Sequence, residues 1–479
     1  MKSKFRVRGI LLGILLLLVI GIFFSNVIPA RRWLSSIFLS SKGETALLIP
    51  QILEDQNPSS ELAEYNLTAQ RSTKEFIKGI KTETYGYNGD YLGPVIRVKK
   101  GETVSIKLKN LLGETTTVHW HGLELPGDMD GGPHNGIQPN ETWNPQFTIN
   151  QSAATLWFHP HPIHKTGAQV YKGLAGLIYI EDEVSQKLNL PKDYGQNDFP
   201  LILQDRRFTK DGRMPYDLGM MDVMHGFQGD TVLINGAVNP FLEVPQGKVR
   251  FRILNGSNAR IYNLHLTKTS EFWQIASDGG FLEAPVRLNQ VDLGPAERAE
   301  IIVDFSNFKT GEVIQLQDRD ENLMKFIVKD KSTKNVTIPK SITSIPKIEP
   351  SSAKTTRKFV FQGMGHMVNI NGKQMDPRRI DEELKINTTE IWEISNASTG
   401  MMGGGMAHPF HAHGVQFQIL ERNGKEPPKN ERGWKDTILV QPGETVKAIA
   451  TFKYKGIFMY HCHILEHEDS GMMGQFQVK

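Results

Sequence analysis

The chain has 479 residues, of which 39% are hydrophobic and 22% charged, a globular balance that excludes a disordered or low-complexity protein. Its net charge of +3 comes from 55 basic and 52 acidic residues. Six of the basic residues lie in the first 32 positions, which hold no acid, so the remainder carries 49 against 52 and no basic surface of the kind that binds nucleic acid is implied. One cysteine excludes a disulfide scaffold and any CxxC site.

In chain order, the first element is an uncharged run of 20 residues, 9–28, preceded by four positive charges. It is long enough to span a bilayer core of about 30 Å, and its basic flank points to a cytoplasmic N-terminus with the bulk exported. Residues 1–32 are therefore read as a membrane anchor, or as a signal segment if cleaved. The protein is expected outside the cytoplasmic membrane, either anchored by this segment or secreted after its cleavage.

Beyond it, one pattern occurs three times, at residues 95–110, 241–255 and 384–396: a strand, a tight turn, an alternating strand, then Asn110, Asn255 or Asn396. Period-two alternation buries one face and wets the other. With many glycines and few amphipathic helical stretches, this predicts an all-β chain of three antiparallel Greek-key β-sandwiches, at 60–183, 199–330 and 357–479. Linkers are expected at 183–199 and 331–357. The middle copy has Asn263-Leu264-His265 where the first has His119-Trp120-His121, so it reads as a spacer and scaffold.

Ten of the 15 histidines fall in four clusters: His119 and His121; His159 and His161; His408, His411 and His413; and His461, His463 and His467 around Cys462. In a strand, residues i and i+2 share a face, so each H-x-H aims two imidazoles into one space. His461 and His463 then face away from Cys462, and one strand touches two metal sites. Thiolate, two histidines and a weak methionine are the blue-copper set, supplied by Cys462, His408, His467 and Met472. Eight imidazoles remain, four from each end of the chain, and place a second site between the first and third sandwiches. Zinc needs only four ligands. The other histidines, His134, His164, His225, His265 and His366, are read as structural or surface groups.

The sequence from about residue 60 onward resembles the multicopper oxidases in all four histidine motifs. The resemblance implies cupredoxin-like sandwiches and four copper ions. The type 1 ion would lie at His408, Cys462, His467 and Met472; the type 2 ion at His119 and His411; and the type 3 pair at His121, His159, His161, His413, His461 and His463. Every ligand is present, unlike in the copper-less cell-division members. The implied activity is four one-electron oxidations coupled to reduction of O₂ to water, with Cys462 as the electron conduit. Asp130 and Glu468 match positions that deliver protons; the alternative is that they orient ligand histidines.

The motifs are most similar to those of bacterial copper-efflux oxidases, which implies Cu(I) oxidation in copper tolerance with laccase-like phenol oxidation. Met406 and Asp376 match family positions for a substrate copper, and Met364, Met367, Met375, Met401 and Met402 add soft thioethers. Gly404 stands where that group has an acid, and the long methionine-rich insert is absent. Rim or core packing is the alternative role for these methionines. Other readings are a laccase-like phenol oxidase, a ferrous or manganous oxidase and, least favoured, a non-catalytic copper-binding protein.

Overall fold

The three repeated copies do not fold as hairpins. In the computed structural model each tight turn carries the chain from one sheet to another. Strand Val95–Lys99 joins Gly176–Glu181, while Thr103–Leu111 joins Leu62–Ile77. The same exchange recurs for Phe241–Gln246 and Lys248–Asn255, which join Glu321–Lys331 and Asp198–Arg206. It recurs again for Glu382–Leu384 and Thr388–Asn396, which join Met473–Val478 and Thr355–Gln362. All six pairings are parallel, so the sheets are mixed and the expectation of purely antiparallel sandwiches is corrected. The cause is the crossing turn, which leaves both strands of a copy to find neighbours near the two chain ends of their region.

The turns are made by residues that tolerate positive φ: Gly101 at 90° in the first copy and Asn387 at 59° in the third. Each terminal asparagine is buried and staples its own corner. Asn110 Nδ2 donates to the carbonyls of Glu114 and Ile137, Asn255 Nδ2 to those of Arg260 and Leu293, and Asn396 Nδ2 to those of Met406 and Val440. A buried amide with both donors satisfied fixes a loop without a desolvation penalty.

The structure describes residues 45–58, 61–269, 271–331, 336–397 and 405–479. The apolar N-terminal run, Met401, Met402 and Gly404 lie outside them. Among the described residues, no helix is long and apolar enough to cross a membrane. The architecture is mostly β, with 47% strand and 7% helix. Six sheets are described, with three to seven strands each. Apolar cores fill residues 63–180 around Leu67, Ile106 and Leu156, residues 199–328 around Phe251, Tyr262 and Phe326, and residues 359–478 around Trp392, Phe410 and Phe476.

The middle region is tied to the first by buried charge. Thr155 Oγ1 on the first-region strand Ala154–Phe158 donates to Glu300 at 2.6 Å, and Arg252 Nη1 donates to the same hydroxyl at 3.0 Å. Glu300 also pairs with Arg250, and Arg252 with Asp198. Charges inside a core strand are rare unless paired.

Candidate metal centre

Strand Gly456–Cys462 lies between His408–Ala412 and Met473–Val478, with Cys462 opposite Phe410 and His461 opposite His411. The alternation holds: Cys462 meets His408 and His467 on one side, and His461 meets His161 and His413 on the other. The other H-x-H motifs depart from the mid-strand expectation. His119 and His159 form an isolated bridge, and His413 and His463 lie just past strand ends. Strand interiors are filled by Phe, Leu and Trp. The imidazoles instead meet where strand ends leave an apolar core, and all eight are at most 1% exposed.

Their outward nitrogens are fixed by acceptors. His119 Nδ1 donates to the Asp130 carbonyl at 3.1 Å, His411 Nδ1 to the Asp436 carbonyl at 2.8 Å, and His159 Nδ1 to the Pro160 carbonyl at 2.9 Å. His413 Nδ1 donates to Asp130 Oδ2 at 2.7 Å, His461 Nδ1 to the Cys462 carbonyl at 3.1 Å, and His121 Nε2 to Asp436 Oδ1 at 3.0 Å. A neutral imidazole has one donor and one acceptor nitrogen, so the inward nitrogens carry bare lone pairs.

Those lone pairs face one another. His119 Nε2 and His411 Nε2 are 3.3 Å apart, as are His121 Nδ1 and His159 Nε2. His461 Nε2 is 3.1 Å from His161 Nε2 and 3.2 Å from His413 Nε2. Two acceptors cannot hydrogen-bond, whereas two nitrogens bound to one ion at about 2.0–2.1 Å sit roughly 3.3 Å apart at a tetrahedral angle. His463 lies beside the His121 and His159 rings, at 5.1 and 5.3 Å between centroids, with both ring nitrogens buried and unpartnered. The donor set therefore fits metal ions. It sorts into a pair, a second pair with His463 alongside, and a trio.

Burial holds the imidazoles neutral, as metal ligation requires. It pushes His463 down to about 3 and His161 to about 4, and His121, His159, His411 and His413 well below the ordinary histidine range.

Asp130 and Glu468, named from the sequence, both reach the cluster. Asp130 Oδ2 is 2.7 Å from His413 Nδ1 and 3.4 Å from His119 Nδ1, while its Oδ1 is buried without a partner. The approach needs Gly131, at φ 78°, because a Cβ there would lie 1.7 Å from the Val118 carbonyl. Glu468 Oε2 is 3.1 Å from His461 Nδ1 and Oε1 is 3.5 Å from His161 Nδ1. Burial would raise the Glu468 carboxyl, but His161 and His461 beside it hold it well below the usual carboxylate range.

The Cys462 site is also buried, with His408 and His467 each 1% exposed. His408 Nδ1 is 3.3 Å and His467 Nδ1 4.0 Å from Cys462 Sγ. His467 is turned inward because its Nε2 donates to the carbonyl of Met224, a middle-region residue, at 3.1 Å. Met472 is fully buried in the same core as Cys462, and its carbonyl accepts from Cys462 N. Burial pushes the Cys462 thiol up, and pushes His408 down to about 3 and His467 to about 4.

Met406 is half-buried against this core. The Asp376 carboxylate accepts from Arg378 N at 3.0 Å, within its own turn, and its carbonyl accepts from Gln475. His134 pairs with Gln475, and His164 Nδ1 donates to the Asp469 carbonyl at 2.6 Å, both binding the first region to the last.

Sequence reasoning missed Asp436, which touches His121 and His411 and joins them in one ligand-capable group. It also missed Arg298, which grips Asp436 from the middle region. The available signal was a charge in a run expected to be core: Arg298 opens a buried strand, and Lys435-Asp436 precedes an apolar one.

Two family profiles described as multicopper oxidase match residues 68–185 and 346–479. The chain is 46% identical to the multicopper oxidase mco of Staphylococcus aureus over 440 residues, covering 92% of this chain and 94% of that protein. It is 37% identical to the cell division protein FtsP of Escherichia coli, covering 86% and 89%. A crystal structure of a laccase from Pediococcus acidilactici superposes with a TM-score of 0.87 at 43% identity, covering 91% and 94%. The chain belongs to the multicopper oxidase family: it is a copper-dependent oxidoreductase that uses O₂ and a reducing substrate.

Proposed function

We propose that this multicopper oxidase oxidises Cu(I) as a copper-tolerance enzyme, with laccase-like oxidation of phenols as a secondary activity. The observation that carries this reading is a thioether rim over His467. Helix Met220–His225 packs against the turn Gly365–Met367 and against the helix Leu465–Asp469 that holds His467. Met220 is 77%, Met221 61%, Met364 42% and Met367 74% exposed. Of the nine exposed large apolar side chains among the described residues, these four and Leu218 fall in two short segments. Exposed apolar side chains that cluster mark a binding surface, and thioethers select soft Cu(I). Met406 and Asp376 remain candidates for a substrate-copper site.

The residues fit four copper ions, one at His408, Cys462, His467 and Met472 and three among the eight histidines. Bound copper would supply one-electron redox chemistry and the means of reducing O₂. The chain supplies the rest. Cys462 is joined by peptide bonds to His461 and His463, a covalent route from sulfur to the histidine cluster. The apolar strand ends exclude water. Asp130, with one buried oxygen unpartnered, and Glu468, held between two imidazoles, handle protons beside the histidines. The apolar run at 9–28 and its basic flank support a location outside the cytoplasmic membrane, anchored or secreted.

A laccase-like role is the second reading, supported by the likeness to the Pediococcus laccase. Oxygen uptake with Cu(I), Fe(II) and a phenol separates them. Replacing Met220, Met221 and Met367 by Leu, and separately Met406→Leu with Asp376→Ala, should cut Cu(I) oxidation at least ~10-fold, about 1.4 kcal/mol. Phenol oxidation should hold within about twofold. Parallel loss means that these residues merely support the Cys462 site, and no change makes the laccase-like role the better reading.

A further inference from the structure

Arg298 and Asp436 form an ion pair with no exposed side-chain area. Such a pair loses the solvation of both ions and is weak evidence for stability alone, so its surroundings decide what it does. Arg298 Nη1 and Nη2 donate to the two carboxylate oxygens at 2.6 Å each. The guanidinium is itself fixed by the carbonyls of Thr155, Ala296 and Asp278. Gln416 and Thr437 donate to the same carboxylate at 2.9 and 3.0 Å. The backbone of His121's own neighbour makes room: Gly122 has φ 94°, and a Cβ there would lie 2.6 Å from Asp436 Oδ2 and 2.9 Å from Arg298 Nη2.

Two ring nitrogens end on this residue. His121 Nε2 meets Oδ1 at 3.0 Å, and His411 Nδ1 meets the Asp436 carbonyl at 2.8 Å. In the facing pairs described above, every other imidazole turns Nε2 inward, whereas His121 turns Nδ1. An ionised carboxylate can only accept, so a proton on His121 Nε2 is enforced and Nδ1 is left bare.

We propose that Asp436, gripped by Arg298 from the middle region, is a positioning residue for the histidine centre. Its side chain sets His121 with Nδ1 facing the metal, and its carbonyl sets His411 with Nε2 doing so. The middle region thereby governs how tightly a site is loaded to which it gives no ligand. This rests on the reading of the eight histidines as copper ligands.

Two measurements test it. In the full apo protein labelled with ¹⁵N-histidine, His121 should be protonated at Nε2 and bare at Nδ1; a protonated Nδ1 overturns the proposal, whatever the copper content. In Asp436→Asn, and in Arg298→Lys, which keeps the charge but gives up the two parallel hydrogen bonds, blue absorption per chain should persist. Copper beyond the one blue ion should be held about tenfold or more less tightly, with an altered type 2 electron-spin-resonance signal. Full copper content with an unchanged signal in both variants overturns the proposal. So does joint loss of blue absorption and unfolding midpoint in both, which identifies a plain folding role. Failure of the ligand reading looks different: the unaltered protein would then bind copper at Cys462 alone.

Discussion

The Cys462 site and the eight-histidine site share one strand but draw on different lengths of chain. His408 and Cys462 are 54 positions apart, and Cys462 and His467 only five. The histidine cluster is closed by contacts between residues 292 to 315 positions apart, such as His119 with His411 and His121 with Asp436. One site is nearly local to the C-terminal region. The other exists only when the first and last regions dock, with the middle region holding the dock in place. The two should therefore fail separately.

Cys462→Ser breaks the comparison most sharply. It should abolish blue absorption and all oxidase turnover while the other copper largely remains, since His461 and His463 face away from the sulfur. Blue colour in that variant, or loss of every copper ion, would refute the division into two sites.

Copper removal and acid act mainly on the docked site. Copper binds the folded state, so loading should raise the unfolding midpoint, and the apo protein should be cleaved first between the first and last regions. Equal protease sensitivity with and without copper would count against this. Acid should add to the effect. An unfolded histidine titrates near 6.5, but burial holds His161 near 4 and His463 near 3. Below pH ~6.5 the unfolded chain binds more protons, so apo stability should fall as pH drops from about 6.5 towards 4, by up to ~1.4 kcal/mol per unit for each such histidine. Urea midpoints at pH 8, 6.5 and 5 measure this, and a flat profile contradicts the buried, neutral cluster.

Asp130→Asn is the mildest test. It should slow O₂ reduction by roughly 100-fold, the low end of the usual range for acid–base groups, while reduction of the blue copper by substrate stays intact. Stopped-flow bleaching against oxygen uptake separates the two steps. If the variant loses copper, Asp130 serves only to orient His413 and His119.

The histidine clusters, the lone cysteine and the threefold repeat were legible because each is carried by residues close in sequence. The repeat even reveals its corners, since Asn110, Asn255 and Asn396 make equivalent hydrogen bonds. Three features were not legible. The parallel pairings depend on where the crossing turn leads, which alternation does not encode. The Met224 carbonyl that turns His467 is main chain and carries no residue signature. Arg298 and Asp436 gain their roles from each other, across 138 positions, so neither signals function alone. The middle region, expected as a spacer and scaffold, places Arg298 between the Thr155 carbonyl of the first region and Asp436 of the last.

The pairing of Gly456–Cys462 with Met473–Val478 sets an order in time. During synthesis the first region can complete its sheets and preset four imidazoles, and the middle region can place Arg298, well before Cys462 is made. The cysteine strand then keeps an open edge until residues 473–478 emerge, and an open edge beside a lone thiol invites wrong partners. Copper delivered before the last region is made would find only four of the eight clustered histidines. The strand that carries Cys462 thus gains its second neighbour only when the chain has been made through Val478.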